Sequence, residues 1–137
     1  MTSLSVIVSR GTTNNFVQVL TLLMAAVHSE WAVRVLFRDE SIFRVTRDGI
    51  GQTRLSELYE AQAEAYLQRL KKHDLQDLHL LLQQIKQSGD VKLYACSSSL
   101  ALAGVKKEEL ISEIDEVRGL TAFLLEDVAH TDRVLTF

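Results

Sequence analysis

Residues 4–37 read LSVIVSRGTTNNFVQVLTLLMAAVHSEWAVRVLF, and this stretch decides the fold class. It opens with a short β-branched apolar run at residues 4–9. A polar turn follows, and then an apolar segment at residues 16–28 that is long enough for a helix. A second apolar run, at residues 31–37, has the composition of another strand. The order strand, helix, strand predicts a βαβ unit with a parallel sheet.

The composition is that of an ordinary globular protein. The 137 residues include 15 Lys and Arg against 18 Asp and Glu, which gives a formal charge of −3. This length is typical of one domain with a substantial core, and we predict a single domain over residues 1–137. The pI near 5.8 and the lack of a basic run argue against a nucleic-acid partner, because nothing would neutralise a row of phosphates.

The cysteine, histidine and hydrophobic patterns exclude several other classes. One cysteine rules out an internal disulfide and a CxxC redox pair. The four histidines lack metal-binding spacings such as HExxH, so we predict no metal and no cofactor. The most apolar segment, residues 16–27, is interrupted by Gln18 and Thr21 and is too short to cross a bilayer. With no secretory signal pattern, we expect a cytoplasmic protein without a membrane partner.

The rest of the chain alternates between helical and strand patterns. Residues 52–87 are rich in helix formers with apolar positions at helical spacing, which predicts a helical hairpin inserted between the second and third strands. Asp74 is suited to cap the second helix of this hairpin. Residues 91–95 predict a third strand, followed at once by a small-residue helix that Gly104 ends. Later patterns predict a helical turn at 106–111, a short strand at 113–117, a helix at 120–129 and a strand at 133–137. Together they predict a layered α/β domain with four to five mostly parallel strands flanked by helices.

The polar turn after the first predicted strand is a candidate binding loop. It consists of Gly11, Thr12, Thr13, Asn14 and Asn15. In open parallel sheets, ligands bind beyond the carboxyl ends of the strands, and the free N–H groups of a helix N-terminus attract anions. The loop has neither the P-loop nor the GxGxxG pattern. A simple turn in which an asparagine caps the helix explains the same residues, so both interpretations stay open here.

Cys96 is the second candidate site. It lies where the third predicted strand meets the following helix. A thiol at this position is close to the positive end of the helix dipole and to unpaired N–H groups, which lower its pKa. Ser97, Ser98 and Ser99 add hydroxyl donors directly after it. The alternative interpretation is a small, buried and inert cysteine.

The segment KLYACSSSLALAGVKKEEL, residues 92–110, resembles the DsrE/DsrF-like superfamily, as does the ending from Gly119 to Phe137. This resemblance implies a compact α/β domain that assembles as a homo-oligomer, a trimer or hexamer, in a cytoplasmic family that handles sulfane sulfur. In the sulfur-relay members, the cysteine that matches Cys96 carries a persulfide and passes it to a partner protein. Some relatives have a second cysteine beside the first, where this chain has Ser97 and Ser98.

Three hypotheses follow for the function. The first is a sulfur carrier or sulfurtransferase that holds sulfane sulfur on Cys96, in a pocket shaped by Ser97 to Ser99 and the loop at residues 11–15, and exchanges it with donor and acceptor proteins. The second is an oligomeric binding module without chemistry, which holds a small anion or nucleotide at residues 11–15 while Cys96 is buried. The third is redox sensing through a disulfide between subunits. All three include an oligomer, because the helix at residues 16–27 is apolar on nearly every face and must be covered.

Overall fold

The structure is a computed structural model that describes every residue from Met1 to Phe137. A five-stranded sheet has the order β4-β3-β2-β1-β5, and all four strand pairs are parallel. The strands are β1 (Ser3–Val8), β2 (Ala32–Phe37), β3 (Val91–Cys96), β4 (Glu116–Arg118) and β5 (Arg133–Thr136). The α/β class predicted from the sequence is therefore confirmed, as are the positions of β1, β2, β3 and β5. The strand predicted at residues 113–117 begins only at Glu116, because residues 112 and 113 form a turn.

Six α-helices flank this sheet, and short 3-10 segments join them. The helices are α1 (Thr13–His28), α2 (Glu57–Glu60), α3 (Ala63–Lys72), α4 (Leu78–Ser88), α5 (Ser97–Ala103) and α6 (Leu120–Glu126). The 3-10 segments are Asp39–Val45, Lys107–Glu109 and Val128–His130. Gly104 ends α5 in the left-handed conformation, at φ 69°, as the sequence predicts. None of the helices combines the length and hydrophobicity that a membrane span requires.

The main core lies between one face of the sheet and the pair α1 and α4. Alternate residues of β1, β2 and β3 face these helices, and the largest helix side chains in this core include Phe16, Leu20 and Leu82. The two helices also pack against each other. The apolar surface of α1 is therefore covered within the chain. The expectation that α1 needs a partner subunit to cover it is wrong for this reason.

The insertion between β2 and β3 differs from the predicted hairpin. α4 is the crossover helix that covers the sheet beside α1, so residues 39–77 form the insertion itself. Asp74 does not cap α4: it has a φ of 58° and lies in the turn after α3. The N-cap is Asp77, whose carboxylate accepts a hydrogen bond from the N–H of Leu80 at 3.0 Å. The prediction of Asp74 is wrong because α4 begins one turn later than the pattern suggests.

The opposite face of the sheet carries a smaller apolar cluster. Its four buried members are Leu36, Tyr94, Cys96 and Phe123, and the Tyr94 and Phe123 rings meet edge to face at 6.1 Å between centroids. Phe123 belongs to α6, the only α-helix that contributes to this cluster. The predicted helix at residues 120–129 stops at Glu126, and a 3-10 turn follows. Cys96 is therefore part of a thinly covered face.

Candidate functional site

Cys96 lies at the carboxyl edge of the sheet. It is the last residue of β3 and the N-cap of α5. In the sheet it is paired with Arg118 of β4. On the other side, Ala95 pairs with Phe37, the last residue of β2, and Arg38 follows directly. Cys96 therefore has an arginine on each side, Arg118 within β4 and Arg38 directly after β2.

Hydrogen-bond donors surround the Cys96 sulfur. The Sγ atom is 3.3 Å from the Ser98 hydroxyl oxygen. Burial raises the pKa of the thiol, but the Ser98 hydroxyl, the Ser99 N–H and hydroxyl, and the Arg38 guanidinium stabilise the thiolate. The donors outweigh burial and lower the pKa of Cys96 from 9.0 to about 7. A substantial fraction of this thiol is therefore ionised at neutral pH.

The two arginines differ in how their charge is compensated. The Arg118 guanidinium lies 4.1 Å above the centre of the Tyr94 ring and binds the carboxylates of Glu116 at 2.8 Å and Asp127 at 2.6 Å. Arg38 takes part in no ion pair, and its Nε atom is buried without a hydrogen-bond partner. Arg38 is therefore the arginine whose charge remains available to an anionic sulfur.

The thiol itself is enclosed. Cys96 has no exposed surface, whereas Ser97 and Ser98 are exposed at the start of α5. Ser99 is buried, and its hydroxyl accepts a hydrogen bond from the N–H of Asp39 at 2.9 Å. A lowered pKa is what the carrier hypothesis expects, and an enclosed thiol is what the binding-module hypothesis expects. The chain has both features.

At the start of α1, the capping residue is not an asparagine. Thr12 is the N-cap, and its hydroxyl accepts a hydrogen bond from the N–H of Asn15 at 3.1 Å. The Asn15 side chain instead donates to the carbonyl of Arg10 at 3.3 Å. The expectation of an asparagine cap is wrong because α1 begins at Thr13, so that the hydroxyl of Thr12 already occupies the capping position.

The other residues of this loop hold the insertion in place. The Asn14 side-chain oxygen accepts from the N–H of Ser56 at 2.9 Å. The Thr13 N–H donates to the carbonyl of Arg54 at 2.6 Å, and the Thr13 hydroxyl accepts from the N–H of Arg54 at 2.8 Å. Of the five loop residues, Gly11 and Thr12 line a cavity whose wall also includes residues of the insertion.

One segment connects the two predicted sites. In the 3-10 segment Asp39–Val45, Asp39 binds Ser99, and the carboxylate of the next residue, Glu40, accepts from the N–H of Gly11 at 3.3 Å. A Cβ atom on Gly11 would come within 2.7 Å of Glu40, so only glycine allows this approach. Cys96 and Ser97 to Ser99 do not line the cavity beside Gly11. The expectation that the loop at residues 11–15 shapes a pocket at Cys96 is therefore wrong, because Asp39 and Glu40 lie between the two sites.

The cavity beside Gly11 contains charged residues that the sequence pattern does not predict. It has a volume of about 630 Å³, and its wall includes three arginines and three carboxylates: Arg44, Arg47 and Arg54, and Glu40, Asp48 and Glu109. The only sequence signal was the recurrence of arginine three times within residues 44–54. The spacing of these arginines does not by itself indicate a cavity, because the opposite wall comes from the loop after β1 and from residues 105–109, which are distant in sequence.

Comparison with known proteins places the chain in a family. No sequence among the curated proteins matches it. Among solved structures, it is similar to a protein of unknown function from Methanobacterium thermoautotrophicum, with a TM-score of 0.64 and 14% identity over 98% of this chain and 99% of that one. This similarity supports the fold. The sequence model of the DsrE/DsrF/DrsH-like family matches residues 6–135, a range that includes the loop after β1 and Cys96. The chain therefore belongs to the DsrE/DsrF/DrsH-like family.

Proposed function

We propose that the chain is a sulfur carrier in which Cys96 accepts a sulfane sulfur as a persulfide and passes it to a thiol of a partner protein. Membership of the DsrE/DsrF/DrsH-like family supports a sulfur-relay role in general. The observation that carries the specific proposal is the set of donors around the only cysteine. Ser98 lies 3.3 Å from the sulfur, and the buried Arg38 Nε–H has no hydrogen-bond partner, so it is free to donate to a sulfur anion.

The transfer needs one thiolate and no second cysteine in the chain. The Cys96 thiolate attacks the outer sulfur of a donor persulfide R–S–SH, the S–S bond of the donor breaks, and its electron pair leaves on R–S⁻. The proton of the donor passes to solvent, and Cys96–S–S⁻ remains. In delivery, an acceptor thiolate attacks the outer sulfur and the Cys96 thiolate leaves. A thiol of low pKa leaves faster, so the donors that lower the pKa of Cys96 assist the second step.

Loading requires the thiol to become exposed, and α6 is the element that would have to move. It has seven residues, and Phe123 is its only buried side chain. Phe123 shares a cluster with Cys96, Leu36 and Tyr94. Displacement of α6, which contributes Phe123 and the partly buried Leu120 to this cluster, would uncover this face of the sheet, and the four-residue cluster is small compared with the main core.

Intact-protein mass spectrometry after incubation with glutathione persulfide tests this proposal. We expect the wild-type chain to gain the mass of one or more sulfur atoms, to lose it on treatment with a reductant, and to bind its sulfur at Cys96. The Cys96→Ser variant should gain nothing, while Ser97→Ala, which keeps the thiol, serves as the matched control.

A folded wild-type chain that gains no sulfur, under conditions in which the urea-unfolded chain does, would contradict the carrier function. Resistance of Cys96 to iodoacetamide in the same folded sample would then favour the binding module without chemistry.

A further inference from the structure

Arg44 places a buried guanidinium without a counter-ion in the wall of the cavity beside Gly11. Arg44 is 5% exposed, and its Nη1 donates to the carbonyl of Gln52 at 2.6 Å. Its Nε is buried with no hydrogen-bond partner, and Arg44 takes part in no ion pair. A buried charge that lacks both a partner anion and a full set of hydrogen bonds is costly. An anion in the cavity would remove that cost.

Two further arginines face the same space. Arg47 and Arg54 are exposed, line the cavity and form no ion pairs. Burial lowers the pKa of Arg44, and the positive charge of Arg54 lowers it further. No carboxylate contributes to the pKa of Arg44, which agrees with the absence of a salt bridge.

The three carboxylates of the wall do not neutralise this positive charge directly. Glu40 accepts from the N–H of Gly11 at 3.3 Å, and Glu109 accepts from the N–H of Lys106 at 2.6 Å. Asp48 makes no side-chain hydrogen bond and no ion pair, so it is the one carboxylate that competes with an incoming anion.

The size and rim of the cavity indicate the kind of anion. A volume of about 630 Å³ is that of a site for a small organic molecule and exceeds what a bare oxyanion fills. Phe43 lines the cavity and is 44% exposed, so its ring offers an apolar surface next to the arginines. Gly11 and Thr12 add the N-terminal end of α1, a 16-residue helix whose dipole favours negative charge.

We propose that this cavity binds an organic phosphate of nucleotide size, with its phosphate group paired to Arg44, Arg47 and Arg54 and its organic part packed on Phe43. Arginine suits this task because its planar fork of N–H groups matches phosphate oxygens in pairs. The site does not include Cys96, so it stands independently of sulfur transfer.

Isothermal titration calorimetry of the whole chain with AMP tests the proposal, with inorganic phosphate and adenosine as separate titrants. We expect saturable binding of AMP at one site, and binding of phosphate and of adenosine that is weaker by about tenfold or more. Arg47→Gln and Arg54→Gln should each weaken AMP binding about tenfold, since each removes a charged hydrogen bond. The matched control is Arg133→Gln, which changes an exposed arginine of β5 outside the cavity.

Arg44 is buried, so Arg44→Gln is interpreted only if its thermal unfolding shows that it folds. The two exposed arginines keep the test decisive without it. Absence of saturable AMP binding would overturn the proposal, and so would AMP binding that Arg47→Gln and Arg54→Gln leave unchanged. Phosphate that binds as tightly as AMP would overturn the assignment of an organic ligand.

Discussion

At Cys96, burial and hydrogen bonding act in opposite directions on one sulfur atom. An enclosed thiol without partners would have a raised pKa and remain neutral. Here Ser98, Ser99 and Arg38 supply donors, and the pKa falls to about 7. Arg38 adds the only charged donor among them, and it lies beside Cys96 because β2 ends one residue before it. The site thus depends on strand register as much as on the cysteine.

We predict that Ser98→Ala raises the pKa of the Cys96 thiol from about 7 toward 9.0, because the hydroxyl 3.3 Å from the sulfur stabilises the thiolate. The iodoacetamide alkylation rate of the folded chain, measured from pH 6 to 10, would then rise at a higher pH than in the wild type. Ser97→Ala is the matched control, since the hydroxyl hydrogen-bonded to the sulfur is that of Ser98 and not that of Ser97. Equal midpoints for all three proteins would mean that Ser98 does not stabilise the thiolate.

Part of the residue-scale detail could be predicted from the sequence. The position of Cys96 between strand and helix follows from the pattern of residues 91–103. The position of Arg38 beside it follows once the end of β2 is known, because Phe37 pairs with Ala95. The sequence alone does not show which residue caps the N-terminus of α1. Thr12 and Asn14 both suit that role, and the choice depends on which residue begins the helix.

Among the elements, α6 packs on the apolar cluster that contains Cys96. Its one buried side chain, Phe123, belongs to the cluster with Cys96, and its Leu120 packs against that cluster, while its Leu125 is 66% exposed. In contrast, α1 buries eight residues between the sheet and α4. The face of the sheet with the thiol is therefore far less firmly covered than the main core.

We predict that Phe123→Ala increases the rate of alkylation of Cys96 about tenfold or more. Removal of a buried aromatic ring from a small cluster costs several kcal/mol, and most of that cost falls on the packing of α6. Pseudo-first-order rates with iodoacetamide at pH 8 measure this effect, with Leu125→Ala on the same helix as the control. If Cys96 is alkylated at the same rate in Phe123→Ala as in the wild type, the reagent does not reach the sulfur by displacing α6.

In the helical part of the chain, the sequence pattern predicts the helices but not how they pack. The composition of residues 52–87 predicted helices, and α2, α3 and α4 confirm this. It did not reveal that α4 packs on α1 as a crossover while the residues before it fold beside the cavity. A crossover helix and a helix of an insertion have the same amphipathic periodicity, so only their tertiary contacts distinguish them.

On the scale of the whole molecule, the sheet leaves β5 as an open edge. Val134 and Leu135 of this strand are 43% and 41% exposed, although both are apolar. An edge strand with apolar side chains offers both backbone and side-chain contacts to another chain. Since α1 is covered internally, β5 is the better candidate for the subunit interface that the family resemblance implies.

We predict a solution mass of three or six times 15.4 kDa, measured by light scattering coupled to size-exclusion chromatography. Val134→Glu should shift this mass toward that of one chain, because a carboxylate on the open edge opposes strand and side-chain contacts. Leu58→Glu, at a position of α2 that is 88% exposed, is the matched control. A wild-type chain that elutes with the mass of a single copy would contradict the expected trimer or hexamer.

The cavity is the feature of the whole molecule that sequence reasoning could not supply. Its wall joins the loop after β1, the insertion and the segment at residues 105–109. The N–H of Arg47 donates to the carbonyl of Glu109 at 2.9 Å, which ties two of these segments together. A Cβ atom on Gly49 would lie 1.8 Å from the carbonyl oxygen of Phe43, so the insertion can turn this tightly only at a glycine.

The pairing of β5 with β1 has a consequence for synthesis of the chain on the ribosome. These strands are far apart in sequence: Ser3 and Asp132, which bind each other, are separated by 129 positions. β1, β2 and β3 can assemble as soon as residue 96 has emerged, but the outer edge of β1 stays unpaired until residues 133–136 are available. Such distant pairings form slowly, and open edges recruit other strands. A nascent chain that pauses before residue 133 therefore exposes β1 to whichever strand reaches it first.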